Sequence, residues 1–249
     1  VALAVVLLSL GWGLMGAVFP FFLGGIFYFC LSSFFLKTIW QGKRTEPITE
    51  KREMLSFLFP AFFTNLGTTL LITSDIILAR HFLSAEQAGF YAALSTLGKI
   101  VFFTASPVIG VIFPMISEAH AAKKNINQIV FMGFLIIGFI TLGCLFIFGF
   151  FPKLMILGLF GPKYLTLAPY LLSFAVGVAF YLLDVTLLNI FLARKIIFPS
   201  VLVCLAAILQ IILIFFFHGG LIEIVKIFIF ISALLLLSLL LYYFRNEKH

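Results

Sequence analysis

Residues 128–151 read QIVFMGFLIIGFITLGCLFIFGFF, an uninterrupted stretch without a charged side chain. At about 1.5 Å per residue, a helix of this length covers about 36 Å, enough to cross a hydrocarbon core of roughly 30 Å. It has no polar face to turn toward water, so its surroundings must be apolar on every side. Working outward, residues 165–193, 199–217 and 223–244 repeat the pattern toward the C-terminus, and residues 85–116, 54–79 and 14–36 repeat it toward the N-terminus. The composition agrees. Of 249 residues, 63% are hydrophobic, 34 are Phe and only 10% are charged, against about 25% charged in soluble domains. Mean hydropathy is +1.25. The expected fold class is all-α: a polytopic membrane helix bundle with about seven full and one partial transmembrane helices.

The chain begins at Val1 inside an apolar run, with no secretory signal pattern ahead of it. Residues 1–36 carry no charge until Lys37 and are too long for one span, so Gly11-Trp12-Gly13 is expected to break them. That leaves a partial helix over 1–10, the end of one that starts upstream, and a full helix over 14–36. Residues 37–53 form a polar loop too short for a folded domain. Residues 54–244 then hold six spans, and 245–249 form a basic tail. Ser84 and Gln87 fit a capping box, so a helix is expected to start at Ala85. The connector 152–163 has an apolar middle, 154–160, expected to lie in the membrane interface.

The net charge of +7 invites a nucleic-acid reading, but the distribution of the basic residues argues for membrane topology instead. One alternating set of connections holds Lys37, Lys43, Arg44, Lys51, Arg52, Lys123, Lys124, Arg194, Lys195, Arg245 and Lys248; the other holds Arg80, Lys153 and Lys163. Eleven basic residues against three assign the first set, and with it the C-terminus, to the cytoplasm. Nucleic acid is not expected as a partner; membrane lipids are.

Ionisable groups within spans cost roughly 2.5–3.5 kcal/mol each on insertion scales, so each asks for a reason. Lys99 lies about 20 Å into its helix, too deep for easy snorkelling. Ser95, Thr96 and Ser106 share its side with Ala92, Phe102 and Phe103, a small and hydroxyl-bearing stripe around one cation. Such a face suits a polar cavity and an anion such as a phosphate; a lysine paired with a carboxylate is the plainer alternative. Asp75 shares a face with Asn65 and Thr68 and reads either as a cavity wall or as an interfacial partner of Arg80. Asp184 shares a face with Ser173, Gly177 and Tyr181 and reads as a structural partner for another helix. Pro60, Pro107 and Pro114 lie in the two helices that carry these polar stripes and are candidate hinges. Cys30, Cys144 and Cys204 are isolated apolar filler, and His81, His120, His218 and His249 show no metal-ligand spacing, so no metal and no cofactor are expected.

The segment from Asp75 through Phe82-Leu83-Ser84, Gly89-Phe90-Tyr91 and on to Lys99 resembles the polysaccharide biosynthesis, or O-antigen-type, flippase family of the multidrug/oligosaccharidyl-lipid/polysaccharide exporter superfamily. Phe113-Pro114 resembles the signature closing the family's eighth helix, and residues 188–194 resemble the end of its tenth. The resemblance implies that 54–244 is the C-terminal six-helix lobe of a 12-helix, two-lobed transporter, with 1–36 ending the N-terminal lobe and 37–53 a cytoplasmic inter-lobe loop. It implies a multi-pass protein of a bacterial or archaeal cytoplasmic membrane. The expected substrate is a polyprenyl-diphosphate-linked oligosaccharide, with polysaccharide-assembly proteins as further partners. Lys99 matches a cavity-bordering position where a cation could meet the diphosphate. A cation-coupled multidrug exporter or a peptidoglycan-precursor flippase would share the fold. A membrane sugar polymerase or glycosyltransferase is a different class; the polar loop, with Glu46, Glu50 and Glu53, has no DxD or paired-carboxylate pattern. No catalytic residue is expected. A chain holding one lobe alone could not alternate access.

Overall fold

A computed structural model describes residues 2–40 and 51–246. Among the described residues the secondary structure is helical throughout, and seven helices are long and apolar enough to cross a membrane. The protein is a multi-pass helical membrane protein. The expected inter-lobe loop falls mostly on residues 41–50, outside the described residues, and its flanks on either side are helical. The tail residues 247–249 lie outside them too.

The chain divides into two compact units, residues 1–51 and 52–249. In the first, α1 (Ala2–Ser9) and α2 (Gly13–Trp40) are separated at the predicted break. Gly11 and Gly13 adopt φ values of +83° and +51°, which side chains with a Cβ rarely tolerate, so the glycines end one helix and release the next.

The second unit begins within the first turn of α3 (Lys51–Phe82), which a tight turn joins to α4 (Ala85–Ala121). The Ser84 side chain caps α4 by accepting from the Gln87 amide at 3.3 Å, as the sequence predicts. Both helices outrun the expected spans. Residues 117–121 include Glu118, Ala119 and Ala121, good helix formers beyond the apolar stretch, and the edge of the hydrocarbon does not end a helix. Pro60 lies within α3, and Pro107 and Pro114 within α4, without interrupting either helix. Next come α5 (Asn127–Phe150), the short α6 (Pro152–Phe160) over the predicted interfacial segment, and a 3-10 turn at Pro162–Leu167. The set closes with α7 (Ala168–Ala193), α8 (Phe198–Phe216) and α9 (Leu221–Asn246).

Helix α7 is the axis of this unit. Of the seven spans, the one that contains it is 67% buried, and the others reach at most 39%. It packs on α4 and α9 most extensively. Phe174 stacks on Phe228 of α9 at 5.4 Å, and Gly98 of α4 leaves the space that the Phe174 ring occupies. Phe191 meets Tyr242 further along, so α7 and α9 run parallel.

Helix α3 is held on α8 by polar contacts that lipid cannot replace. Thr64 Oγ1 donates to Ser200 Oγ at 2.8 Å, and Gln210 Nε2 donates to Leu71 O and Ser74 Oγ at 2.8 and 3.0 Å. Each such bond between membrane helices contributes about 0.6 kcal/mol. Close approach comes from Gly67, where an added Cβ would stand 2.9 Å from Val203 and 3.1 Å from the Cys204 amide nitrogen. Because part of that obstacle is backbone, it cannot swing aside. Gly67→Leu is therefore expected to destabilise the α3–α8 seam by about 1–3 kcal/mol, as overpacking does. Thermal unfolding of the detergent-solubilised protein checks it; an unchanged midpoint would show that the seam yields.

Candidate functional site

The sequence singled out Asp75, Asn65 and Thr68 on α3, and Ser95, Thr96 and Lys99 on α4. The α3–α4 hairpin decides how they meet. Its turn centres near Leu83, so Asp75 and Tyr91 lie equally far from the turn and at the same depth. The Tyr91 hydroxyl donates to Asp75 Oδ2 at 2.7 Å, and the Ile76 amide donates to Asp75 Oδ1 at 2.8 Å. Both side chains are fully buried. Asp75 is thus an internal tie between two helices. The predicted interfacial pairing with Arg80 is not what holds it; Arg80 is exposed.

Lys99 sits two turns further along α4 and is half-buried. Helical side chains lean toward the helix N-terminus, so its stem reaches back toward the Asp75–Tyr91 pair. Its charge interacts with that of Asp75 through space, and no hydrogen bond or ion pair joins the two among the described residues. An aspartate in the dry interior with an ammonium in reach is less costly than either group alone. The ammonium remains partly accessible, with donors to offer.

The other predicted residues divide. Thr96 is exposed one turn from Lys99, and its hydroxyl is satisfied by Ala92 O at 2.8 Å. Ser95 turns inward and is fully buried, with no hydrogen-bond partner for its hydroxyl. Asn65 is exposed and donates to Ala61 O at 2.8 Å; Thr68 is half-buried and bonds within its own helix. The structure therefore brings Asp75 and Lys99 together, leaves Thr96, Asn65 and part of Thr68 accessible, and takes Ser95 into the packing.

Two participants escaped the sequence reading. Tyr91 is the partner of Asp75, and its signal was available: it mirrors Asp75 across a tight turn, and a buried Tyr hydroxyl needs an acceptor. Tyr181 of α7 donates to Thr68 O at 3.0 Å and packs against Phe102 at 5.4 Å, tying the central helix to both polar helices. Nothing in the local sequence pairs residues so far apart in the chain. Among the described residues no three or more His, Cys, Asp or Glu side chains are grouped so as to hold a metal ion.

Residues 1–120 match the family model described as polysaccharide biosynthesis protein. The match takes in α1, α2, α3 and almost all of α4, and so the Asp75, Tyr91 and Lys99 cluster; it stops before α5. The likeness to the polysaccharide biosynthesis family therefore covers these residues. No curated protein and no solved structure gives a significant match to the chain.

Proposed function

We propose that this protein flips a polyprenyl-diphosphate-linked oligosaccharide across the cytoplasmic membrane, for cell-surface polysaccharide synthesis, by alternating access between two helical lobes. Residues 54–244 supply one lobe, with the C-terminus in the cytoplasm. The observation that carries this reading is Lys99: a half-buried cation deep in a span, within the region that matches the polysaccharide biosynthesis family. A diphosphate carries its charge into a medium where an unpaired ion is costly. A lysine ammonium, a compact point charge with three donors, can meet phosphate oxygens there. Asp75 of α3 acts on this ammonium through space. Thr96 and Asn65 are accessible polar side chains for the ligand, and the polyprenyl chain remains among the lipid-facing Phe and Leu side chains. As a flippase the protein makes and breaks no covalent bond.

The test is reconstitution. The full-length protein in vesicles is expected to accelerate transbilayer movement of a fluorescent lipid-linked oligosaccharide, read by its exposure to a membrane-impermeant quencher. Vesicles that move a cationic drug down an ion gradient, and leave the lipid-linked sugar in place, would show the multidrug-exporter reading to be the correct one.

A further inference from the structure

Two aspartates are fully buried in the second unit, and their surroundings differ. Asp75 has a tyrosine hydroxyl, a backbone amide and a lysine charge to compensate it. Asp184 on α7 is equally buried, yet neither Oδ1 nor Oδ2 has a hydrogen-bond partner. The structural partner expected for it from sequence is absent among the described residues. A carboxyl group left so is costly, and an apolar residue of similar size would be the more stable choice. Packing therefore does not account for Asp184.

Its surroundings can be specified. Asp184 lies two turns beyond Gly177 on α7 and within about 20° of the same face. An added Cβ at Gly177 would meet Phe228 and Ile229 of α9, each at 2.9 Å, so this face of α7 looks onto α9. One turn past Phe228, Ser232 is fully buried, and its hydroxyl too has no partner. The parallel α7–α9 seam thus carries an uncompensated polar group from each side. On α7 itself, Tyr181 stands one turn away and interacts electrostatically with Asp184.

The helices packed on α7 bring few ionisable groups to this level. Helix α4 carries Tyr91, bonded to Asp75 of α3 near the level of Phe174, and Lys99, with Glu86, Glu118 and His120 nearer its ends. Helix α6 and the 3-10 turn, also packed on α7, carry Lys153, Lys163 and Tyr164. Helices α5 and α8 carry Cys144 and Cys204. On α9, Glu223 and Lys226 lie near one end and Tyr242, Tyr243 and Arg245 near the other. Among the described residues no cation pairs with Asp184, which is fully buried with both carboxyl oxygens unpartnered.

We propose that Asp184 is a proton-exchange site: its carboxyl holds a proton while α7 and α9 are packed as described, and gives it to water when the seam opens. The O–H bond breaks, the electron pair stays on the carboxylate, and water carries the proton away; closing reverses each step. The packed state then binds a proton that the open state gives up, so it is favoured as pH falls and lost as pH rises. The site is independent of what the transporter carries, so its failure and the failure of the lipid-linked sugar reading are separable.

Infrared difference spectra of the full chain in lipid nanodiscs, recorded between acid and alkaline buffer, test it. The wild type is expected to show the C=O band of a protonated carboxylic acid, lost in Asp184→Asn, retained in Asp75→Asn and shifted in Asp184→Glu. Thermal stability of the wild type is expected to fall as pH rises, with that component absent in Asp184→Asn. A band that survives unchanged in Asp184→Asn overturns the proposal, and so does a wild type without such a band. Stabilisation by sodium in place of protons, lost in Asp184→Glu or Asp184→Asn, also overturns it. The glutamate variant keeps the test open if the asparagine variant does not fold.

Discussion

Lys99→Ala is expected to slow flipping of the lipid-linked oligosaccharide by roughly ten- to a hundredfold, the rate equivalent of losing about 1.5–3 kcal/mol of hydrogen bonding to a charged group. The lysine is the one ionisable side chain on α4 that is both deep in the span and partly accessible. On the proposed function, its loss would remove the countercharge for the diphosphate deep in the span. Lys99→Arg keeps the charge and is expected to retain most of the rate. Because Asp75 would lose its neighbouring cation in the alanine variant, expression and thermal stability need to be measured alongside the initial rate in vesicles. A well-folded Lys99→Ala protein that flips at the wild-type rate would remove the lysine from the mechanism.

Asp75→Ala is expected to have the largest effect on stability. It leaves the Tyr91 hydroxyl buried without an acceptor and Lys99 without a carboxylate in reach. Leaving a buried hydroxyl unsatisfied costs about 1–3 kcal/mol, and the loss of the carboxylate beside half-buried Lys99 adds to it. Asp75→Asn keeps an acceptor for Tyr91 and loses only the charge, and Tyr91→Phe keeps the charge and loses one hydrogen bond; both are expected to lose less. Comparing thermal unfolding of the three separates the electrostatic part from the hydrogen bond. Equal midpoints for Asp75→Ala and the wild type would mean that the tie contributes nothing.

The candidate site was partly legible before the structure. Lys99 and Asp75 announced themselves because charge is rare in a span, and the Ser84 cap and the glycine break at residues 11–13 follow from local backbone chemistry. The role of each polar residue was less legible. Asp75 read as a cavity wall or a partner of Arg80, and it is an interhelical tie to Tyr91. Ser95 read as part of a stripe facing a polar cavity, and it is buried in the packing. A helical wheel places residues on a common side, but it does not say whether that side meets a neighbour, lipid or water.

What the sequence determined by itself is the all-helical, multi-pass architecture and the positions of the seven spans, because a bilayer leaves a buried backbone few ways to satisfy its hydrogen bonds. The tertiary structure decided that α7 is the axis, that Gly67 and Gly98 are points of close approach, and that Asp75 is compensated and Asp184 is not. The reason is physical. Lipid tails and a protein interior are equally apolar, so a lipid-facing leucine and a core leucine look alike along the chain. In water, hydrophobicity marks the inside; in a membrane, only packing does.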